Sequence, residues 1–140
     1  MKFFKKLDRK GFTLAEMLIV MAVVVVLAAA AIPAVGNQVE TARETNDLDM
    51  IRAAYVDAFA QAATDYADGT LTAAKIAKGP FTWNQVNAGW TGITSPTVGS
   101  KTVPAMVLTN TYVVFEFEKS SDDTTVQLKE ITMNATGATS

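Results

Sequence analysis

The stretch FTLAEMLIVMAVVVVLAAAAIPAVG, residues 12–36, decides the architecture. From Met17 to Val39 no side chain is charged, and Thr13 and Glu16 are the only polar interruptions between Phe12 and Ile32. A bilayer core is spanned by roughly 20 apolar residues in a helix, so the run is long enough to cross. The β-branched residues Val23 to Val26 would suit a buried strand, but such strands stop at about 8 residues and this run does not. The expectation is a spanning helix. Pro33 removes a backbone N–H and crowds the preceding turn, and Gly36 loosens the helix further, so both are read as a bend within it.

Upstream, Met1 to Gly11 carries five basic residues against Asp8, a net of +4 from side chains. A basic start before an apolar run keeps that end cytoplasmic by the positive-inside rule. The remainder holds 7 basic and 13 acidic residues, net −6, and its charge does not attract nucleic acid. With no Cys there is no disulfide framework, thiol nucleophile or Cys-ligated metal; with no His the commonest general base and metal ligand are missing. Both absences count against catalysis, although carboxylate or Ser/Lys chemistry stays open, and no cofactor or metal is expected.

Downstream, residues 37–68 read as an amphipathic helix. Leu48, Ile51, Tyr55, Phe59, Ala62 and Tyr66 recur every three or four positions as one apolar stripe, with Glu40, Arg43, Glu44, Asp47, Arg52, Asp57 and Asp65 mostly off it. Asp68-Gly69 is a stop signal. A continuous helix from Phe12 to Tyr66 would be about 80 Å long. Thr70 to Lys78 is expected to hold a short helix ended by Gly79-Pro80, Phe81 to Thr102 a loop with one short strand, and Met106 to Thr109 a strand. Tyr112 to Glu118 alternates, placing Val113, Phe115 and Phe117 on one face. Thr124 to Met133 is a second strand. Its apolar parity changes after Leu128, which predicts a bulge or a change of face near Lys129-Glu130. The hairpin's apolar face needs the helix stripe as its partner, giving an α+β fold: a long bent N-terminal helix, apolar then amphipathic, packed on a small antiparallel sheet. The expected segments are 1–11, 12–36 and 37–140, the last divided into helix 37–68, loop 69–105, sheet 106–133 and a frayed tail 134–140.

Lys10-Gly11-Phe12-Thr13-Leu14-Ala15-Glu16-Met17-Leu18-Ile19-Val20 resembles the N-terminal signature of type IV prepilins and pseudopilins. That family has a basic leader ending in Gly, a mature chain starting with Phe, and a Glu four residues later. Pro33 also falls where the family has its helix-bending Pro. The resemblance covers about residues 1 to 45, and the family's frequent C-terminal disulfide loop has no counterpart here. It implies cleavage of the leader (1–11) between Gly11 and Phe12 by a prepilin peptidase, methylation of the Phe12 amine, and a role for Glu16 in subunit assembly. It implies polymerisation by the pilus machinery into a homo-oligomeric helical filament at the cell surface, from a single-pass precursor in the cytoplasmic membrane. Two of these residues also have a physical rationale. Gly11 leaves the backbone open to a protease, and a carboxylate inside an apolar segment is costly enough to be a functional candidate by default.

Other readings compete. An ordinary secretory signal with its cut at Ala28 to Ala31 explains the basic start but not Glu16. A pseudopilin of a secretion or DNA-uptake machine shares the whole motif. A membrane-tethered enzyme or sugar-binding module would use Trp83 and Trp90, which are read instead as packed under a loop. Glu116 and Glu118 are read as a solvated strand face rather than an acid/base pair. Asp47, Asp49, Asp122 and Asp123 lack calcium-loop spacing and are read as solvated turns and caps.

Overall fold

The computed structural model describes residues 12–71 and 74–139. The basic leader, Gly11 included, lies outside the described residues. The element order is α1 (Leu14–Ala67), β1 (Ala74–Lys78), β2 (Thr97–Val98), β3 (Lys101–Thr102), β4 (Tyr112–Lys119) and β5 (Val126–Asn134). The chain divides into two compact units between Gly36 and Asn37.

In unit 1, α1 runs through Pro33 without a break in helical assignment. Among the described residues, none in its apolar stretch is buried. Leu18, Ile19, Met21 and Leu27 are all more than 60% exposed.

Unit 2 buries its own core. Leu48, Ile51, Ala58 and Ala62 of α1 face Val113, Phe115 and Phe117 of β4 and Leu128 and Ile131 of β5, all at most 5% exposed. Tyr55 joins with its ring 5.8 Å from that of Phe115 and 6.2 Å from that of Phe117. Each large apolar side chain buried here contributes about 1.5–3 kcal/mol relative to exposure. The stripe expected from the 3.6-residue period is the one that packs, although Phe59 at its edge stays 37% exposed. The helix stops where Asp68-Gly69 predicts. Gly69 takes a left-handed φ of 73°, and the N–H groups of Thr70 and Leu71 bond the Asp65 carbonyl at 2.9 and 3.0 Å.

The main sheet has three antiparallel strands in the order β1-β4-β5. The parity change in β5 is a bulge. Glu116 pairs Glu130 and the next residue, Phe117, pairs Leu128, so Lys129 is the extra residue. Two expectations are corrected. Residues 74–78 form β1 rather than a helix: pairing along β4 and burial of Ile76 to 7% exposure override the helix propensity of the alanines. Met106 to Thr109 is not a strand. Met106 is buried as a plug, its carbonyl accepting the Gly89 N–H at 2.8 Å, and a turn follows at Val107–Asn110. The loop between β1 and β4 holds one small hairpin, β2–β3. After β5, the Asn134 side chain accepts the Gly137 N–H at 2.7 Å and donates to the Ala138 carbonyl at 2.8 Å, closing a turn.

Candidate assembly site

At the start of α1, Thr13 and Glu16 form a reciprocal capping box. The Thr13 N–H and hydroxyl donate to Glu16 Oε2 at 2.8 and 3.0 Å, and the Glu16 N–H donates to Thr13 Oγ1 at 3.2 Å. Thr-x-x-Glu does this because the N-cap oxygen reaches the amide three residues on while the glutamate reaches back. The carboxylate therefore has local donors on the helix that carries it. Phe12 precedes the box and is 82% exposed. Pro33 sits inside the helix, and a Cβ at Gly36 would have nothing within 4 Å among the described residues, so no close packing among them requires glycine there.

A second constellation, on unit 2, was not read from the sequence. Glu40, Glu44 and Asp47 are 7%, 0% and 0% exposed. This corrects the placing of these acids off the packed face, and of Asp47 among solvated turns. They follow the spacing i, i+4, i+7 and so continue the stripe of Leu48 and Ile51 toward the N-terminus as carboxylates. Each clamps backbone N–H groups of the loop 84–93. Asp47 accepts the Asn84 and Gln85 N–H groups at 2.8 and 3.0 Å and the Asn84 side-chain amide at 2.7 Å. Glu40 Oε1 accepts from Val86 and Asn87 at 2.8 and 2.9 Å. Glu44 accepts the N–H groups of Thr91, Gly92 and Ile93 at 2.7, 2.9 and 3.0 Å and the Thr91 hydroxyl at 2.5 Å. Hydrogen bonding from the Asn87 N–H lowers the Glu40 pKa against the cost of burial, helped by Val86 and Arg43. For Glu44, burial pushes upward, but the donors of Thr91, Gly92 and Ile93 prevail and hold it below the usual carboxylate range. The loop comes so close to α1 that a Cβ on Gly92 would lie 2.8 Å from Thr41 Cβ.

The signal in the sequence was a pair of facts. Three acids share the stripe's period, and a Gly/Asn/Thr-rich segment without charges supplies many N–H donors that need acceptors. The other candidates are ordinary. The indole N–H groups of Trp83 and Trp90 donate to the carbonyls of Asn110 and Pro104 at 2.8 and 2.9 Å, and both rings pack on the core. Glu116 pairs Lys129 at 2.6 Å, Glu118 accepts from Gln127, and Asp49 pairs Arg52 at 2.9 Å. Asp122 accepts the Thr124 N–H within the β4–β5 turn, and Asp123 pairs Lys119. Among the described residues, no group of three or more acidic side chains is arranged to hold a metal ion.

An exposed apolar helix long enough to cross a bilayer, joined to a unit with its own core, is the arrangement of a membrane-anchored precursor. Residues 6–32 match the family model described as the prokaryotic N-terminal methylation motif, the signature of type IV pilin and pseudopilin precursors. The motif points to a structural, pilin-like chain rather than an enzyme, and it implies processing by a prepilin peptidase and handling by a membrane assembly machinery. Comparison of the chain with curated proteins and with solved structures gave no match.

Proposed function

We propose that the chain is a type IV pilin: cut between Gly11 and Phe12, methylated on the Phe12 amine, and polymerised through its apolar helix into an extracellular filament. One observation carries this reading beyond the motif. Among the described residues, none in the apolar stretch of α1 is buried, while the buried core of unit 2 is built from residues after Gly36 alone. Such a helix has two partners available, lipid before assembly and the same helix of other copies after it.

The capping box supports a division of labour at Glu16. The Thr13 contacts engage Oε2, so Oε1 is the atom offered to a cationic amine, its own or a neighbour's. Cleavage after Gly11 spares Thr13 and its N–H, so the box outlasts processing. Pro33 and Gly36 supply the compliance for packing a long helix into a bundle.

Mass spectrometry of protein sheared from the cell surface is the test. The expected product begins at methylated Phe12 and comes from long fibres visible by electron microscopy. A chain beginning after Ala31 refutes the reading in favour of a secretory signal. A methylated Phe12 chain that forms no surface fibres refutes it in favour of a pseudopilin.

A further inference from the structure

Before Leu48, the buried side chains that α1 contributes to unit 2 are carboxylates. Within residues 37–47, Glu40, Glu44 and Asp47 are at most 7% exposed, while Val39 and Ala42 face solvent. The apolar core begins at Leu48 and continues through Ile51, Ala58 and Ala62. The first turns of the helix in this unit are therefore fastened by charged hydrogen bonds rather than by an apolar core.

The partners are uncharged. Asn84 and Gln85 donate to Asp47, Val86 and Asn87 to Glu40, and Thr91, Gly92 and Ile93 to Glu44. Between Gly79 and Phe115 the one charged residue is Lys101, on β3, and the other titratable side chain is Tyr112. The segment 104–110, stitched to the loop through Gly89–Met106, Trp90–Pro104 and Trp83–Asn110, carries no charge. From α1 itself, Arg43 reaches Glu40 Oε2 at 3.3 Å, and Asp49 and Arg52 pair each other at 2.9 Å.

We propose that helix residues 37–47 and the loop 84–93 form a proton-operated latch, which opens as one piece while the apolar core stays closed. Glu44 has two donors on each oxygen, so a proton on either one competes with donors already in place. Asp47 is alike: Oδ1 accepts the Asn84 N–H and side-chain amide, and Oδ2 the Gln85 N–H. Glu40 differs. Its Oε1 holds Val86 and Asn87 while Oε2 faces Arg43, so a proton enters there by displacing Arg43 and leaves the loop bonded. Once Glu44 and Asp47 let go, the neighbouring donors are no longer held in place, and the sites release together. Asn87 leads the donors that lower the Glu40 pKa, and at Glu44 the loop donors prevail over burial. Acids of this kind stabilise the closed form above their unfolded values and lose it as pH falls through the folded ones. The latch is thus shut at neutral pH and opens below the ordinary carboxylate range. The buried residues of the core around Phe115 and Phe117 include no titratable group, so apolar burial persists there. The latch lies wholly within unit 2 and is independent of the filament reading.

Trp83 and Trp90, the two tryptophans of the chain, lie beside and within the loop and report its opening. The detergent-solubilised full-length chain is titrated from neutral pH into acid, following tryptophan emission and the amide protection of β4, corrected for intrinsic exchange. Emission is expected to shift to the red with a slope of more than one proton while β4 stays protected. The chain has no cysteine, so a Thr41→Cys thiol, placed against Gly92, is a single probe of the helix side. It should react with dithiodipyridine about tenfold faster, or more, over the same step. At neutral pH, Glu44→Gln/Asp47→Asn should open the latch as acid does, with β4 still protected, and Glu40→Gln should leave it shut. Loss of β4 protection together with the loop, in acid or in the double variant, overturns the proposal. A one-proton slope, a thiol that stays unreactive, or a double variant that matches the wild type does so too. A latch already open in Glu40→Gln overturns the route assigned to the proton.

Discussion

Replacing Glu44 by Gln removes one charge and little volume, and the geometry of the clamp sets the cost. The carboxylate is fully buried and accepts four hydrogen bonds, two on each oxygen. A glutamine keeps one oxygen. Its NH2 then meets either the Gly92 and Ile93 N–H groups or the Thr91 pair, donor against donor. Two buried donors lose their acceptor at about 1–3 kcal/mol each, and the surviving pair loses its charge assistance. Allowing for relaxation of the loop, the cost is about 2–4 kcal/mol. The assay is amide hydrogen exchange by mass spectrometry on detergent-solubilised full-length chain. Exchange at Thr91, Gly92 and Ile93 should rise by about 30- to 1,000-fold, at about 1.4 kcal/mol per tenfold, while the amides of β4 change less. Acid should act in the same direction on the wild type. The folded-state pKa of Glu44 is depressed, so its contribution is fully present above the unfolded value. It is lost as pH falls through the folded one, below the ordinary carboxylate range. Wild-type protection at Thr91–Ile93 in the Gln variant at neutral pH would refute the view that the carboxylate holds the loop.

Three further outcomes are expected. Gly92→Ala drives a methyl into Thr41 and should cost about 1–3 kcal/mol in a denaturant titration; no measurable loss would show that the loop does not press on the helix there. Removing Met1 to Gly36 should leave a soluble, cooperatively melting monomer, because the core residues all lie in unit 2; aggregation or a non-cooperative melt contradicts that placement. Glu16→Ala should leave cleavage after Gly11 largely intact but reduce sheared-fibre yield sharply against processed membrane subunit, and normal yield would deny Glu16 any assembly role.

What the sequence made legible was whatever rests on period and punctuation. The stripe from Leu48 to Ala62, the stop at Gly69, the alternation of Val113, Phe115 and Phe117, and the parity change at Lys129 each come from side-chain direction along one element. What stayed hidden depends on partners far along the chain. Ala74–Lys78 has an alanine-rich composition that suits a helix, and only β4, some forty residues on, makes it a strand. The acids Glu40, Glu44 and Asp47 look solvated while charge is taken as a sign of exposure. They are buried because a loop more than thirty residues away supplies the N–H groups that replace water. Their spacing of i, i+4, i+7 runs in the period of the packed face although they were set off it for their charge, and a loop without charged residues is the kind that can cover a carboxylate without a lysine to pair it.

On the filament reading proposed above, both carboxylate sites face one physical problem, an acid in surroundings that exclude water, with opposite consequences. At Glu44 the donors come from a distant loop, and both oxygens are filled, so the charge is spent on fixing tertiary structure. At Glu16 the donors come from Thr13, three residues away, and engage one oxygen. A cap of this kind forms with the helix itself and needs no tertiary partner. On that reading it would lower the cost of carrying the acid into the bilayer before any other copy is present, and Oε1 is left outside the Thr13 contacts. That residual acceptor is what an incoming amine would read. Its attraction grows in a low-dielectric bundle, although the desolvation of both groups offsets much of the gain. The contact is then better suited to fixing the register of one helix against the next than to supplying the bulk of the binding, which falls to the exposed Val, Leu and Ala surface around it.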